Sequence, residues 1–527
     1  MPNFIEKLIY ILLFGFNYRS KIIQNFFKAK RNNTLLSKYY FIKKNIIKEV
    51  YKDQYLNDTI ITDNFNHSKN FKQFIISKLI FSKFFNSILL NSIVNKRLFI
   101  FPLPVSSLKI IKKKVKVSLH FSKIIWIFLS LFIFFKSVFY FFYTLCVSKN
   151  CRYESNYTKI YLDSLSTINI NKINFFYFII DKLKLKNKKI VFFHSNQKIP
   201  NKEYKYESNV FKVHYSKSVT EIFLSRMNNI KYLAILLTII IKLPFKKDLF
   251  NNLIFFQEIL EYSLMQNSKY TFDYCFFNNP RIIFKPSWAE YNEKKIKNSV
   301  IFYFYSVNIF PLITNKFKSY FDLGGYMCSS WNTFWIWNKG QLNFLKSNIY
   351  KSFSYKIVNY IPFEDASKNI TINQNKKNIT IFDVPPKNLF TASQLVNPYN
   401  QYNFNYCKRF LEDIVYNKSL KNFIIYVKIK RDYIGIDLRY RKLINKISKK
   451  SNVRIFYNEI SAISLIKQSN LIISMPFTST ALIAKYFKKK NIYYNPYLSI
   501  KKSKFYPEGI TVLTKEKILT KWLQKNN

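Results

Sequence analysis

Glycine is nearly missing from this chain, with 6 in 527 residues. Neither G-x-G-x-x-G nor G-x-x-x-x-G-K-[ST] occurs, which weakens the dehydrogenase and P-loop readings. Acids are scarce as well: 28 Asp and Glu stand against 85 Lys and Arg, for a net charge of +57. No Asp-x-Asp pair exists, so a diphosphate held through a metal on such a pair is not expected. No metal site is expected elsewhere. The five cysteines (Cys146, Cys151, Cys275, Cys328 and Cys407) are odd in number, scattered and without a CxxC. That argues against a disulfide framework or a zinc site and fits a reducing compartment. The four histidines, His67, His120, His194 and His214, have no metal-ligand spacing. No cleavable leader is evident, because Glu6 and Lys7 interrupt the apolar run from Phe4 to Phe16.

The positive charge by itself suggests nucleic acid or an anionic membrane. Lys, Asn, Ile, Phe and Tyr are all inflated together, however, as an AT-biased coding sequence would produce. The excess still favours an anionic ligand or a lipid surface over a cationic one. A polymerase-like Tyr-x-Asp-Asp and aromatic-basic RNA motifs are missing, so nucleic acid is not the expected partner.

The length implies two or three domains. Residues 1–155 read as a basic helical region with short apolar patches. Within it, segment 124–147, IIWIFLSLFIFFKSVFYFFYTLCV, has spanning length, about 20 residues being needed. Lys136 near its middle would cost roughly 3 kcal/mol in hydrocarbon. A span, an in-plane anchor and a buried helix therefore remain open. A second run, Leu233 to Ile241, is too short to span and reads as a core helix.

Residues 156–364 read as one α/β block. INFFYFIID, KKIVFFHS, KYTFDYCFFNN and NSVIFYFYSVN are expected as strands, with VTEIFLSRMNNIKYLAILLTIIIKL helical. A polar linker, 365–378, leads to a second α/β block, 379–527. There strands (NITIF, NFIIYVKIK, VRIFYN, NLIISM, NIYYN) alternate with amphipathic helices five times, as in a doubly wound domain.

Ligands of such sheets bind beyond the carboxyl ends of the strands. Strand NLIISM empties through Ser474 and Pro476 onto Thr478, Ser479 and Thr480 at a helix start. Helix amides and hydroxyls there suit a phosphate. The bland reading is capping, which needs only one such residue. Lys428 and Lys430 share a face at the end of NFIIYVKIK, and Arg431 follows; they could neutralise phosphates or be solvated basic residues. Asp383 and Lys387, ending the first strand of the block, read as a turn.

The stretch SNLIISMPFTSTALIAKYFKKKNIYYNP resembles the defining motif of the polysaccharide biosynthesis PFTS-motif family. The IFDVPP strand, VKIKR, FYPEGI with Glu508, and FNNPRIIFKPSWAEY add to the resemblance, which covers roughly residues 260–527. One departure is Asn495, where the family carries an acid. The resemblance implies two facing Rossmann-like domains in the GT-B arrangement, with a helical, basic N-terminal extension. It implies a glycosyltransferase of bacterial surface polysaccharide assembly, O-antigen or capsule, working without a metal or other cofactor. A nucleotide-sugar donor would sit on Lys428, Lys430, Arg431, Ser474, Thr478, Ser479, Thr480 and Glu508. Asp273 and Glu290 of the first block are the candidate catalytic bases, although ordinary surface acids would look the same. Trp288 and Trp331 could stack on a sugar, but a core role is expected. A lipid-linked glycan acceptor and a membrane surface are the implied partners, placing the protein in the cytoplasm at the inner face of the cytoplasmic membrane. The alternative is a non-catalytic, membrane-associated phosphate- or lipid-binding protein.

Overall fold

The structure, a computed structural model, describes residues 10–11, 16–52, 68–147, 156–163, 173–194, 202–207, 209–216, 219–224, 229–243, 248–278, 283–304, 306, 326–349, 351–362, 369–373, 375–395, 403–429, 436–457, 459–497 and 503–526. Helices α1 (Tyr18–Arg31), α2 (Asn33–Lys52), α3 (Ser68–Phe81), α4 (Lys83–Asn95), α5 (Val105–Lys112) and α6 (Leu119–Val147) precede the first strand.

Short runs of Val, Ile, Phe and Tyr, buried on both faces, then build a first sheet. Its strands are β1 (Thr158–Leu162), β2 (Ile190–His194), β3 (Lys202–Tyr206), β4 (Asn209–Tyr215), β5 (Tyr274–Phe277), β6 (Val300–Tyr303), β7 (Thr333–Ile336) and β8 (Ser354–Ile357). They lie in the order β3-β4-β2-β1-β5-β6-β7-β8, parallel except for the β3/β4 pair. Between them run α7 (Ile173–Leu183), α8 (Val219–Leu224), α9 (Asn229–Lys242), α10 (Leu249–Ser268), α11 (Ser287–Lys295) and α12 (Lys339–Asn348).

The second sheet comprises β9 (Asn378–Phe382), β10 (Ile424–Lys428), β11 (Val453–Phe456), β12 (Leu471–Ser474), β13 (Lys490–Asn495) and β14 (Thr511–Thr514). Its helices are α13 (Leu389–Leu395), α14 (Phe404–Val415), α15 (Leu438–Ile447), α16 (Ala462–Gln468), α17 (Ser479–Tyr486) and α18 (Glu516–Asn526). The order β11-β10-β9-β12-β13-β14, all parallel, is the Rossmann order, with its switch point between β9 and β12.

One sequence expectation fails here. INFFYFIID is not a strand but the start of α7. Phe175, Phe176, Ile179 and Ile180 are buried, a helical stripe at i, i+1, i+4 and i+5. A short apolar run does not distinguish the two periods. The strand expected from KKIVFFHS is β2, and those within KYTFDYCFFNN and NSVIFYFYSVN are β5 and β6.

The carboxyl edges of the two sheets face each other. Beyond β13, the segment around Phe505 and Tyr506 touches both lobes. Tyr506 stacks on Phe477, beyond the end of β12, with ring centroids 4.2 Å apart. On the other side, the Phe505 and Tyr506 carbonyls press on Gly340, in the first turn of α12 beyond β7. The Asn343 amide also donates to the Lys504 carbonyl at 3.0 Å. Two such sheets, the second wholly parallel and the first parallel but for β3, opposed in this way are the GT-B arrangement.

The N-terminal helices are packed onto both lobes. In α3, the Asn70 amide donates to Ser287 Oγ at 3.2 Å and the Gln73 amide to the Cys328 carbonyl at 2.9 Å, both in the first lobe. Against the second lobe, Gln394 of α13 donates to the Tyr10 hydroxyl at 3.1 Å, and the Arg19 guanidinium lies 5.6 Å above the Phe390 ring.

Helix α6 is built inside out for a protein in water. Its buried side carries Ser122, Ser130, Ser137 and Thr144 beside Trp126 and Phe141, whereas Phe121, Ile124, Phe128, Phe135, Phe139 and Phe142 face outward. Ser130, Ser137 and Thr144 each donate to the carbonyl four residues back, at 2.7 Å, so their hydroxyls are satisfied within the helix. Helix α9 joins it through stacking of Tyr232 on Phe141, 4.4 Å between centroids. It too exposes an apolar stripe, Ile230, Leu233, Leu237 and Ile241. The expected core helix over Leu233–Ile241 is therefore half correct: Leu236 and Ile239 pack inward, and the opposite face is bare.

A Cβ at Gly340 would lie 2.6 Å from the Tyr506 carbonyl oxygen and 2.7 Å from that of Phe505. Both obstacles are main chain, so Gly340→Ala must push the lobes apart. We expect it to lower stability by about 1–3 kcal/mol, read as a denaturation midpoint. An unchanged midpoint would contradict the lobe contact.

Candidate functional site

The crevice of a Rossmann sheet opens where strand order reverses, here between Phe382 and Ser474, which are paired in register. Beyond β9 the chain turns at Asp383; beyond β12 it passes Pro476 and enters α17. Thr478 is the N-cap of that helix, with φ −71° and ψ 152°, but its side chain makes no capping bond. The hydroxyl turns inward. It donates to the Met475 carbonyl at 2.9 Å and lies 3.0 Å from Thr480 Oγ1, which in turn is 2.9 Å from Ser474 Oγ. Tyr493 on β13 donates to the Thr478 carbonyl at 2.8 Å and fixes the turn from below.

This geometry divides the expected ligand hydroxyls. Ser474 and Thr478 are 0% and 2% exposed, so they are interior residues that shape the turn. Ser479 and Thr480 are half-buried and stand at the helix start with the first-turn amides. The capping explanation for three hydroxyls does not hold for Thr478, whose side chain leaves the helix amides to other partners.

Lys428 is also drawn inward. It is buried and its Nζ donates to the neighbouring Ile429 carbonyl at 3.0 Å. The expected partners Lys430 and Arg431 lie outside the described residues. Glu508 is exposed, and its carbonyl accepts from Lys485 Nζ at 2.5 Å, so the segment is pinned to α17 through its main chain. Asp383, expected as part of a turn, is buried at the switch point and accepts a hydrogen bond from the Tyr440 hydroxyl. Burial, and then Asp383 itself, push that phenol well above its usual range. Asn495 accepts from the Tyr406 hydroxyl at 2.8 Å. The amide oxygen fills the acceptor position a carboxylate would occupy, without the charge.

In the first lobe the two expected bases are misplaced. Asp273 precedes β5 and accepts from the Lys159 amide at 2.7 Å, near the start of β1. That is the amino edge, away from the second lobe. Glu290 lies on α11 in a polar cluster with the Lys285–Glu293 ion pair (2.5 Å) and Lys351. Lys351 Nζ bonds the Ser330 carbonyl and Asn332 just ahead of β7, again towards the amino edge. Burial, with Lys285 and Lys69 nearby, pushes Lys351 down to about 7. Trp288 and Trp331 are core residues, both fully buried.

The polar groups at the facing edge are others. Asp163 follows β1 at the first sheet's own switch point, its amide bonded to the Phe276 carbonyl at 2.8 Å. Asn278 follows β5 and donates to the Tyr303 hydroxyl at 2.8 Å. His194 ends β2, fully buried; burial and then His214 push it down to about 4, so it is neutral at pH 7. The sequence signal for Asp163 is the apolar strand TKIYL ending on an acid, which is visible only once β1 is recognised.

A family model described as polysaccharide biosynthesis PFTS motif protein matches residues 231–523. The chain belongs to that family. The PFTS motif is Pro476–Ser479, the turn that carries β12 into α17. No curated protein matches the sequence. Solved structures resembling this PFTS-motif protein include an α,α-trehalose 6-phosphate synthase from Burkholderia multivorans, at 8% identity and TM-score 0.37, covering 70% of this chain and 89% of that one. A glycosyltransferase from Rickettsia africae is 14% identical with TM-score 0.36, covering 71% and 88%.

Two substitutions separate shaping from ligand hydroxyls. Thr478→Val removes a buried bond to a main-chain carbonyl and is expected to lower stability by about 1–3 kcal/mol. Ser479→Ala, half-exposed, should change it by no more than about 0.5 kcal/mol. Chemical denaturation of both measures the difference, and equal losses would contradict the division.

Proposed function

We propose that this PFTS-motif protein is a metal-independent glycosyltransferase of surface-polysaccharide assembly, O-antigen or capsule. It would move a sugar from a nucleotide-sugar donor to a lipid-linked glycan acceptor. The observation carrying this reading is the start of α17. A helix amino end with Ser479 and Thr480 stands at the switch point of a Rossmann sheet, and the hydroxyl of its N-cap residue is turned away from its amides. Such an end favours phosphate. As the donor bond breaks, charge grows on the leaving diphosphate, and amides and hydroxyls fixed in place stabilise it. Asp163, at the opposed edge, is the acid we assign as general base for the acceptor hydroxyl.

A purified chain should be stabilised in a thermal-shift screen by one of the UDP-, GDP- or CMP-sugars. The Ser479→Ala/Thr480→Ala double variant should bind that donor at least tenfold more weakly. Asp163→Asn should keep donor binding and lose about 10²–10⁴-fold in transfer. Unchanged binding by the folded double variant would overturn the donor site. The inward turn of Lys428 and the charge lost at Asn495 favour a non-catalytic binding protein as second reading; that protein would bind donor and release no nucleotide.

The outer faces of α6 and α9 support a place at the membrane. Large apolar side chains outward and small hydroxyl residues inward suit lipid on one side and protein on the other. Helix α6 packs lengthwise on the first lobe against α10, which favours an in-plane helix over a free span. Lys136, exposed on it, can reach water by snorkelling. Each large apolar side chain buried in lipid contributes about 1.5–3 kcal/mol. Phe128→Asp/Phe135→Asp should therefore cut partition onto phosphatidylcholine vesicles by at least a hundredfold, measured by flotation; unchanged flotation would contradict the in-plane reading.

A further inference from the structure

Helices α1 and α4 flank an open pocket of about 540 Å³ that the donor site does not use. Four cations line it: Lys21 and Lys28 on one face of α1, and Lys96 and Arg97 where α4 ends. No carboxylate is among its lining residues. The remaining polar lining is mostly amide, and these amides fix one another. Asn25 Nδ2 donates to Asn91 Oδ1 at 3.0 Å, and Asn95 Nδ2 donates to Asn25 Oδ1 at 2.8 Å and to Asn91 Oδ1 at 2.9 Å. Asn91 Oδ1 thus accepts two bonds, which sets that side chain's orientation. Its Nδ2, on a residue only 2% exposed, is left buried with no acceptor. A buried donor without a partner costs about 1–3 kcal/mol. The Asn25 and Asn91 acceptors are consumed within this wall and the Asn91 donor is left over beside four cations, which is the chemistry of an anion site.

The cavity's position says which anion. Two residues past Arg97, the Phe99 amide donates to the Lys116 carbonyl at 2.7 Å, and the Ser118 amide donates back to the Phe99 carbonyl at 3.0 Å. Phe101 then bonds Ser122 Oγ at 3.2 Å, inside the first turn of α6. The cavity rim is therefore tied to the amino end of the outward-apolar helix, among Lys112, Lys113, Lys114, Lys116 and Lys123. With α6 in lipid, that end lies at headgroup depth.

We propose that this cavity binds a phosphate or diphosphate ester, presented by a membrane lipid. In the glycosyltransferase reading, on which this rests, that ester is the phosphate group of the lipid-linked acceptor. Phosphate oxygens would take the Asn91 N–H and charge-assisted bonds from Lys21, Lys28, Lys96 and Arg97. Binding should weaken with salt, because the rim is open to solvent.

The test uses the full chain and two variants, Lys21→Gln/Arg97→Gln and Asn91→Leu, each checked for an unchanged melting profile. Inorganic pyrophosphate is titrated without lipid, and flotation is measured on phosphatidylcholine vesicles with and without about 10 mol % phosphatidic acid as the anionic headgroup. The wild-type chain should bind pyrophosphate and gain affinity with phosphatidic acid. The double-charge variant should lose at least tenfold in both, with flotation on pure phosphatidylcholine unchanged. If Asn91→Leu does not fold, Lys28→Gln takes its place with the same expected loss. Loss for pyrophosphate alone would overturn lipid presentation and assign the cavity to a soluble phosphate. Equal binding by wild type and variants in both arms would overturn the site. Pure phosphatidylcholine flotation reports separately on α6, so failure of the membrane reading is distinguishable.

Discussion

The account depends on how one strand ends. Where β12 stops, the chain must leave a parallel sheet whose neighbours β9 and β13 continue to pair with it, and it does so across Pro476 into a helix whose N-cap hydroxyl looks inward. Thr478 bonds Met475, Thr480 and, through its carbonyl, Tyr493. Each of those bonds keeps the turn in place and keeps the side chain off the helix amides. The first-turn amides of α17 are thereby left to other partners, and within the PFTS motif Thr478 shapes the turn while Ser479 stands half-buried at the helix start.

The rest of the molecule frames that gap. Close approach at Gly340 opposes the two carboxyl edges. The N-terminal helices bond to α13 of one lobe and to the start of α11 in the other, so they are part of the body and not an appendage. They also carry α6, which turns several Phe residues outward while burying four hydroxyl residues beside Trp126 and Phe141. The proposed transfer from a soluble donor to a lipid-borne acceptor rests on these two features together, the start of α17 and the apolar outer face of α6.

Legibility differed between the halves for physical reasons. In the second lobe, strands buried on both faces read as clean apolar runs, and α14 and α15 are strongly amphipathic, so periodicity located the elements. In the first lobe, nearly every element is rich in Phe and Tyr, and INFFYFIID, with no polar residue before Asp181 beyond Asn174, carries no period. Strands β1, β3 and β4 are short and mixed with Lys and Tyr, so the apolar-run pattern passes over them, and over Asp163 with β1. Asp273 and Glu290 read as lying near strand ends that face the linker, and only the sheet's register shows that Asp273 stands at the start of β5 and Glu290 on α11. At Thr478 the sequence showed a hydroxyl at a helix start, but side-chain direction is set by Met475 and Tyr493, which only packing reveals.

The most direct measurement is photoaffinity labelling with an azido-nucleoside diphosphate matched to the donor, followed by peptide mapping. The account expects the label on the peptide spanning residues 475–485, displaced by excess nucleotide-sugar. Specific, displaceable labelling confined to the first lobe or to the N-terminal helices would contradict it.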